Sequence, residues 1–174
     1  MDSKLSFTAA ISLPDKSVNL LGVLHGKPAL ASITAFSGGF FSGKAHTYDH
    51  SSLLGMQTKA KEGLPQPLKL HFRHTADGYI LSIKNQGEHY DNFIGKSWLE
   101  VLGAQKTGTP SIFTLIDHKN RAITLENITA KHAPLSLRTK NNKYVGGLRT
   151  RGSPFVYLAE TNERSKLTFL FSIL

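Results

Sequence analysis

The residues of this chain that could do chemistry begin with Trp98, its only tryptophan, which follows Asp91 and Asn92 by a few positions. A flat aromatic face can cover the apolar side of a sugar ring while carboxylate and amide groups bind the sugar hydroxyls. The alternative is that Trp98 packs into the core. Two other places in the chain correspond to this one, although their residue types differ from it and from each other. Together the three places give the candidate ligand-binding residues Tyr48, Asp49, His50, Asp91, Asn92, Trp98, Asn142 and Lys143.

Basic residues gather in the C-terminal third of the chain, where no acidic residue lies between Lys131 and Glu160. If the strand that begins at Leu135 turns at Asn141-Asn142, the hairpin brings the basic side chains near the turn together. Arginine would give forked bonds to sulfate or carboxylate, and lysine a point charge. The set is either a solvated rim or a docking surface for an acidic glycan, filament or phosphate-bearing membrane. Its members are Arg138, Lys140, Lys143, Arg149 and Arg151.

Other kinds of site find no support in the residue pattern. The chain has eight histidines and no cysteine, and His46 and His50 are four residues apart on a predicted loop with no obvious third ligand. No Gly-x-Ser-x-Gly sequence, triad order or phosphate loop of the Gly-Lys-Ser/Thr type occurs. We therefore predict no metal site, no cofactor, no catalytic residues, no enzymatic activity and no nucleic-acid motif.

Composition places the chain among globular proteins. Its 174 residues are 40% hydrophobic and 19% charged, which suits one domain with a sizeable core. The net charge of +9 favours acidic polymers or surfaces as partners, or else serves solubility alone. The longest apolar run, 167–174, is far shorter than the roughly 20 residues of a membrane-spanning helix. No secretory signal is recognisable, so we expect cytoplasmic residence or export without such a signal.

A pattern that recurs three times organises these residues. Each instance begins with a serine before Ile or Leu and continues through an aromatic-x-Gly triplet into two further apolar runs. Short apolar runs that alternate with polar residues predict half-buried strands. The sequence therefore predicts three units of about fifty residues with four strands each, an all-β organisation. The recurring serines are Ser32, Ser82 and Ser136, and the glycines of the triplets are Gly43, Gly95 and Gly146.

These units predict a single domain over 1–174. The three units are assigned to 29–76, 77–128 and 129–174, and 1–28 is left as an N-terminal extension with two strand-like pieces. Residues 122–128 are predicted to form an extra strand that the four-strand scheme does not contain.

Twelve short strands in three four-strand units resemble the β-trefoil, in which six strands close a barrel and six cap it as hairpins. Within that fold, the third unit resembles the fascin-type actin-crosslinking repeat. The residues that carry this resemblance are Leu135-Ser136-Leu137-Arg138, Asn142-Lys143-Tyr144-Val145-Gly146 and Leu167-Thr168-Phe169-Leu170.

The resemblance implies a function without catalysis. Trefoil lectins hold sugars on the hairpins of their units, which makes lectin-like glycan recognition through the ligand-binding residues the leading hypothesis. Two alternatives follow from the same fold. One is a fascin-like protein that binds actin filaments, and the other is a trefoil-type protease inhibitor that presents a loop such as 44–52.

Overall fold

The computed structural model of the chain describes residues 3–37, 40–59 and 66–174, and of residues 34–37 and 40–45 it describes the backbone alone. Within these residues the chain forms fifteen strands, one short α-helix and two 3₁₀ turns. The all-β prediction is confirmed. The strands are β1 (Phe7–Ser12), β2 (Lys16–Leu20), β3 (Leu30–Ser37), β4 (Phe40–Asp49), β5 (Leu54–Thr58), β6 (Leu68–Thr75), β7 (Gly78–Ile83), β8 (Phe93–Trp98), β9 (Val101–Gln105), β10 (Phe113–Ile116), β11 (Ala122–Ile123), β12 (His132–Thr139), β13 (Tyr144–Arg149), β14 (Val156–Thr161) and β15 (Phe169–Ile173). The helix α1 spans Leu21–His25, and the 3₁₀ turns span Leu125–Asn127 and Glu163–Ser165. None of the helices in the described part of the chain has the length and apolar character needed to cross a membrane.

Six of the strands pair in a closed ring. The antiparallel order is β1, β6, β7, β10, β12, β15 and back to β1. Because each of the six has a ring neighbour on both sides, the ring has no open edge. Alternate residues of each strand point inward, and on β1 these are Phe7, Ala9 and Ile11, all buried. Complete burial of each large apolar side chain stabilises the fold by about 1.5–3 kcal/mol.

Three further strand pairs extend from the ring: β2 with β5, β8 with β9, and β13 with β14. They also contact one another, because β14 pairs with both β5 and β9 and Leu53 forms a bridge with Gly103. The chain thus passes three times from a ring strand through such a pair and back to a ring strand. A second, smaller apolar cluster, which includes Leu21, Val101 and Tyr157, packs outside the main core.

The N-terminal segment departs from the prediction. Residues 1–28 were expected to lie outside the repeating strands, yet β1 belongs to the ring and β2 pairs with β5. The strands β3 and β4, predicted to begin the first unit, form a separate two-stranded sheet inserted between β2 and β5. The alternation of Phe7, Ala9 and Ile11 explains the difference, since it gives β1 the inward apolar face that a ring strand needs.

The predicted extra strand at 122–128 is only partly a strand. Ala122 and Ile123 pair with β10, and the chain then enters a 3₁₀ turn at Leu125–Asn127. Thr124 and Asn127 hold this turn through reciprocal bonds between side chains and backbone, the arrangement known as a capping box. This competing local structure ends the strand after two residues.

Candidate functional site

Three residues proposed as ligand-binding, from two of the predicted units, meet in the structure. The ring of Trp98 lies 4.4 Å from that of His50 and 6.4 Å from that of Tyr48, measured between centroids. Tyr48 and His50 stack with an interplanar angle of 16°. Tyr157 closes the group, with its ring 5.4 Å from His50 and 5.6 Å from Trp98. We call these four residues the aromatic cluster.

A shift in strand register aims Trp98 into this cluster. Lys96 pairs with Leu102 on β9, but Trp98 pairs with Val101, so the register slips between Lys96 and Trp98. Residues two apart on a regular strand share a face, and such an irregularity sends the later side chain to the other face. Lys96 accordingly lies 3.4 Å from the Glu160 carboxylate, whereas Trp98 packs on Tyr157.

His50 occupies the buried centre of the cluster, with only 4% of its surface exposed. Its Nδ1 lies 2.7 Å from the Tyr157 hydroxyl, which in turn lies 2.6 Å from the Ser153 hydroxyl. Burial lowers the pKa of His50, and the nearby Asp49 charge opposes this only in part, so the ring is neutral at pH 7. Among the described residues the buried Nε2 has no hydrogen-bond partner, whichever nitrogen carries the proton.

One side of the cluster reaches solvent. Tyr48 is 42% exposed and Trp98 is partly exposed, while Tyr157 beneath them is fully buried. Leu99, the next residue along the chain, lies at the tip of the β8–β9 hairpin with φ of 51° and is largely exposed. The buried His50 and Tyr157 hold the rings of Tyr48 and Trp98 in place. These two rings can therefore bind a flat apolar face of a ligand without losing side-chain entropy on binding.

Asp49 lies between Tyr48 and His50 in the chain, and part of its carboxylate is already engaged. Its Oδ1 accepts hydrogen bonds from the backbone N–H and the hydroxyl of Ser51. These bonds, the side-chain bond first, lower the pKa of Asp49. The carboxylate is therefore ionised and held against Ser51.

Asp91 and Asn92, predicted to act together with Trp98, lie at the opposite end of β8. Six residues of extended chain at about 3.3 Å each separate Asn92 from Trp98, roughly 20 Å. Asp91 forms an ion pair with Lys84, and the nearly buried Asn92 places its Nδ2 3.1 Å from Nδ1 of His89. The structure does not bring this pair to the aromatic cluster.

Asn142 and Lys143 lie at the β12–β13 turn, also away from the cluster. Asn142 adopts φ of 60°, the left-handed conformation that asparagine tolerates in turns. Lys143 donates a hydrogen bond to Oδ1 of Asn162 at 3.1 Å. These two residues shape and support a turn.

The basic residues of the C-terminal third form two groups instead of one patch. Arg138, Lys140 and Lys143 lie around the β12–β13 turn, whereas Arg149 and Arg151 follow at the other end of β13, roughly 20 Å along the strand. Lys140 lies 3.8 Å from the carboxylate of Asp77. The acidic partner of Lys140 thus comes from a distant part of the sequence, although no acidic residue lies near Lys140 along the chain.

Two members of the site were missed by the sequence analysis, Tyr157 and Ser153. Tyr157 lies in an apolar strand and carries no feature that separates it from an ordinary core tyrosine. Ser153 stands in the Gly-Ser-Pro turn before β14, and a serine in such a turn predicts only the turn itself.

In the part of the chain that the structure describes, no three His, Asp or Glu side chains come together as a metal site would require. No protein-family model, curated protein or solved structure matches the chain.

Proposed function

We propose that the chain is a β-trefoil that binds glycans without catalysing a reaction, with the aromatic cluster as its binding platform. The closed ring of six strands with three attached strand pairs supports the trefoil, because that fold combines a six-stranded barrel with three hairpins. The observation that carries the function is the pair of partly exposed rings, Tyr48 and Trp98, fixed over the buried His50.

The cluster offers both kinds of contact that a sugar needs. The faces of Tyr48 and Trp98 would cover the apolar side of a pyranose ring. The phenolic hydroxyl of the partly exposed Tyr48 would form hydrogen bonds with hydroxyl groups of the sugar. The net charge of +9 would favour acidic glycans at encounter, and that preference should weaken as salt rises.

A glycan array with neutral and acidic members, run at low and at moderate salt, tests the function. Trp98 is the only tryptophan, so its fluorescence should change when a glycan from the array is titrated into the protein. Tyr48→Ala removes half of the platform and leaves this signal in place, and we expect it to lower affinity about tenfold, or 1.4 kcal/mol.

The matched control is Tyr90→Ala, because Tyr90 is 41% exposed but lies outside the cluster. The Tyr90→Ala variant should bind the glycan with the same affinity as the unaltered protein. The proposal fails if no glycan binds at either salt concentration, or if Tyr48→Ala binds as well as Tyr90→Ala. Co-sedimentation with actin filaments in the same buffers would indicate the fascin-like alternative instead.

A further inference from the structure

A second region with the features of a ligand site lies between α1 and the β7–β8 loop. It is a cavity of about 530 Å³, within the roughly 300–1,000 Å³ typical of small-molecule sites. None of the four residues of the aromatic cluster lines it. Its apolar surface comes from Leu20, Val23 and Ile83, and Val23 remains 48% exposed although it is aliphatic.

Two buried or half-buried asparagines fix the walls of this cavity. Asn19 donates from Nδ2 to the carbonyl of Gln66 at 2.8 Å, and its Oδ1 accepts from the Leu20 N–H at 2.8 Å. Asn85 accepts at Oδ1 from the Lys69 N–H at 2.8 Å and donates to the carbonyl of Pro67 at 2.9 Å. Because these bonds join β2 and the β7–β8 loop to the chain around β6, the cavity is formed before any ligand arrives.

The charged residues that line the cavity are mostly basic. They comprise three lysines and one glutamate, a net charge of +2. Burial lowers the pKa of the lining His89, so that ring adds no charge at pH 7. Glu88 is paired with Lys27, and Lys84 is paired with Asp91, which does not line the cavity. Lys69 forms no ion pair with any residue in the described ranges.

We propose that this cavity binds a small amphipathic anion, a carboxylate on a short hydrocarbon body. The hydrocarbon would lie against Leu20, Val23 and Ile83, where its burial is favourable in proportion to the apolar area covered. The carboxylate would lie toward the lysines, where Lys69 supplies a cation that no acidic side chain of the described chain neutralises. A neutral analogue loses the ionic contact, and a cationic analogue meets the excess positive charge.

Octanoate, octanol and octylamine, each below its micelle concentration, provide matched probes of this site. Nuclear magnetic resonance of the ¹⁵N-labelled protein would follow the backbone amides of Val23, Ile83 and Gly87. We expect octanoate to shift these amides in a saturable way, and octylamine to bind about tenfold more weakly. Equal binding of the carboxylate and the amine, shifts confined to other amides, or no saturable shift with octanoate would overturn the proposal.

Val23→Glu places a carboxylate on the cavity surface and should weaken octanoate binding about tenfold. Leu99→Glu is the matched control, because Leu99 is 72% exposed on the β8–β9 hairpin and does not line the cavity. Octanoate affinity that is equal in the two variants would contradict the site. If Val23→Glu does not fold, Lys69→Gln tests the same cavity. This substitution should reduce the difference in affinity between octanoate and octanol, because it removes the lysine charge that favours the carboxylate.

Discussion

Replacing Tyr157 with phenylalanine tests whether a buried chain of hydrogen bonds holds the aromatic cluster in place. Tyr157 is fully buried, and its hydroxyl lies 2.7 Å from Nδ1 of His50 and 2.6 Å from the Ser153 hydroxyl. The substitution removes only this hydroxyl, so the packing of the ring on His50 and Trp98 is retained. Any loss of stability therefore belongs to the hydrogen bonds.

The magnitude follows from what is left unpaired. Each of the two bonds contributes about 1 kcal/mol net, and a buried polar atom without a partner costs about 1–3 kcal/mol. In the variant, both ring nitrogens of His50 would lack a partner among the described residues, since Nε2 already has none. We expect the free energy of unfolding to fall by about 2–3 kcal/mol, which for a chain of this size lowers Tm by roughly 5–10 °C.

Urea and thermal unfolding followed by circular dichroism would measure this change. Tyr90→Phe is the control, because Tyr90 is largely exposed, and its effect should stay within about 0.5 kcal/mol. A double-mutant cycle with Ser153→Ala should give a coupling energy of at least about 0.5 kcal/mol, since the two hydroxyls share one chain. If Tyr157→Phe is as stable as Tyr90→Phe, ring packing alone places His50 and the reasoning is wrong.

Two further perturbations test the cluster and the fold. Burial lowers the pKa of His50 in the folded chain, so below pH 6.5 the unfolded chain takes up a proton at this residue more readily than the folded chain does. The contribution of His50 to the free energy of unfolding is therefore fully present above pH 6.5 and falls as the pH drops toward the lowered pKa. His50→Gln should flatten this part of the stability curve in urea titrations at several pH values, and an unchanged curve would contradict the assignment. Gly146→Ala should lower the free energy of unfolding by about 1–3 kcal/mol, because its Cβ would lie 2.3 Å from the carbonyl oxygen of Ser165. Gly147→Ala is its control, since there the nearest atom, at 2.9 Å, is the flexible end of Met56, and equal losses in the two variants would refute the steric argument.

Local alternation was enough to predict where most strands lie. The predicted apolar runs 135–138 and 156–160 fall within β12 and β14, and the run 143–146 begins one residue before β13. The aromatic-x-Gly triplets also mark real constraints, because a side chain at Gly95 or Gly146 would meet atoms within 3 Å. The apolar alternation and the aromatic-x-Gly triplet each involve only a few neighbouring residues, so both can be recognised in the sequence alone.

Pairing between strands could not be predicted in the same way. The strand β1 pairs with β6 and with β15, which lie about sixty and a hundred and sixty residues further along the chain. The spacing of Ser32 and Ser82 suggested that the first unit begins near residue 29, but a serine does not determine which strands pair. The inward apolar face of β1 fits it for the ring, but every ring strand needs such a face, so the face alone does not specify its two partners.

In the candidate site, too, local residue patterns could be predicted from the sequence, whereas contacts between distant strands could not. Asp91 and Asn92 are close to Trp98 in sequence, yet an extended strand separates neighbours by the greatest distance that the backbone allows. His50 and Tyr157 are 107 residues apart and share a hydrogen bond, because the residue that follows β4 and a residue of β14 pack together in the aromatic cluster. A single register slip before Trp98 then decides that its ring faces His50 instead of the Lys96 side of β8. Since one slipped residue reverses the face of a side chain, residue types can nominate the members of such a site, but only the pairing of the strands can assemble them.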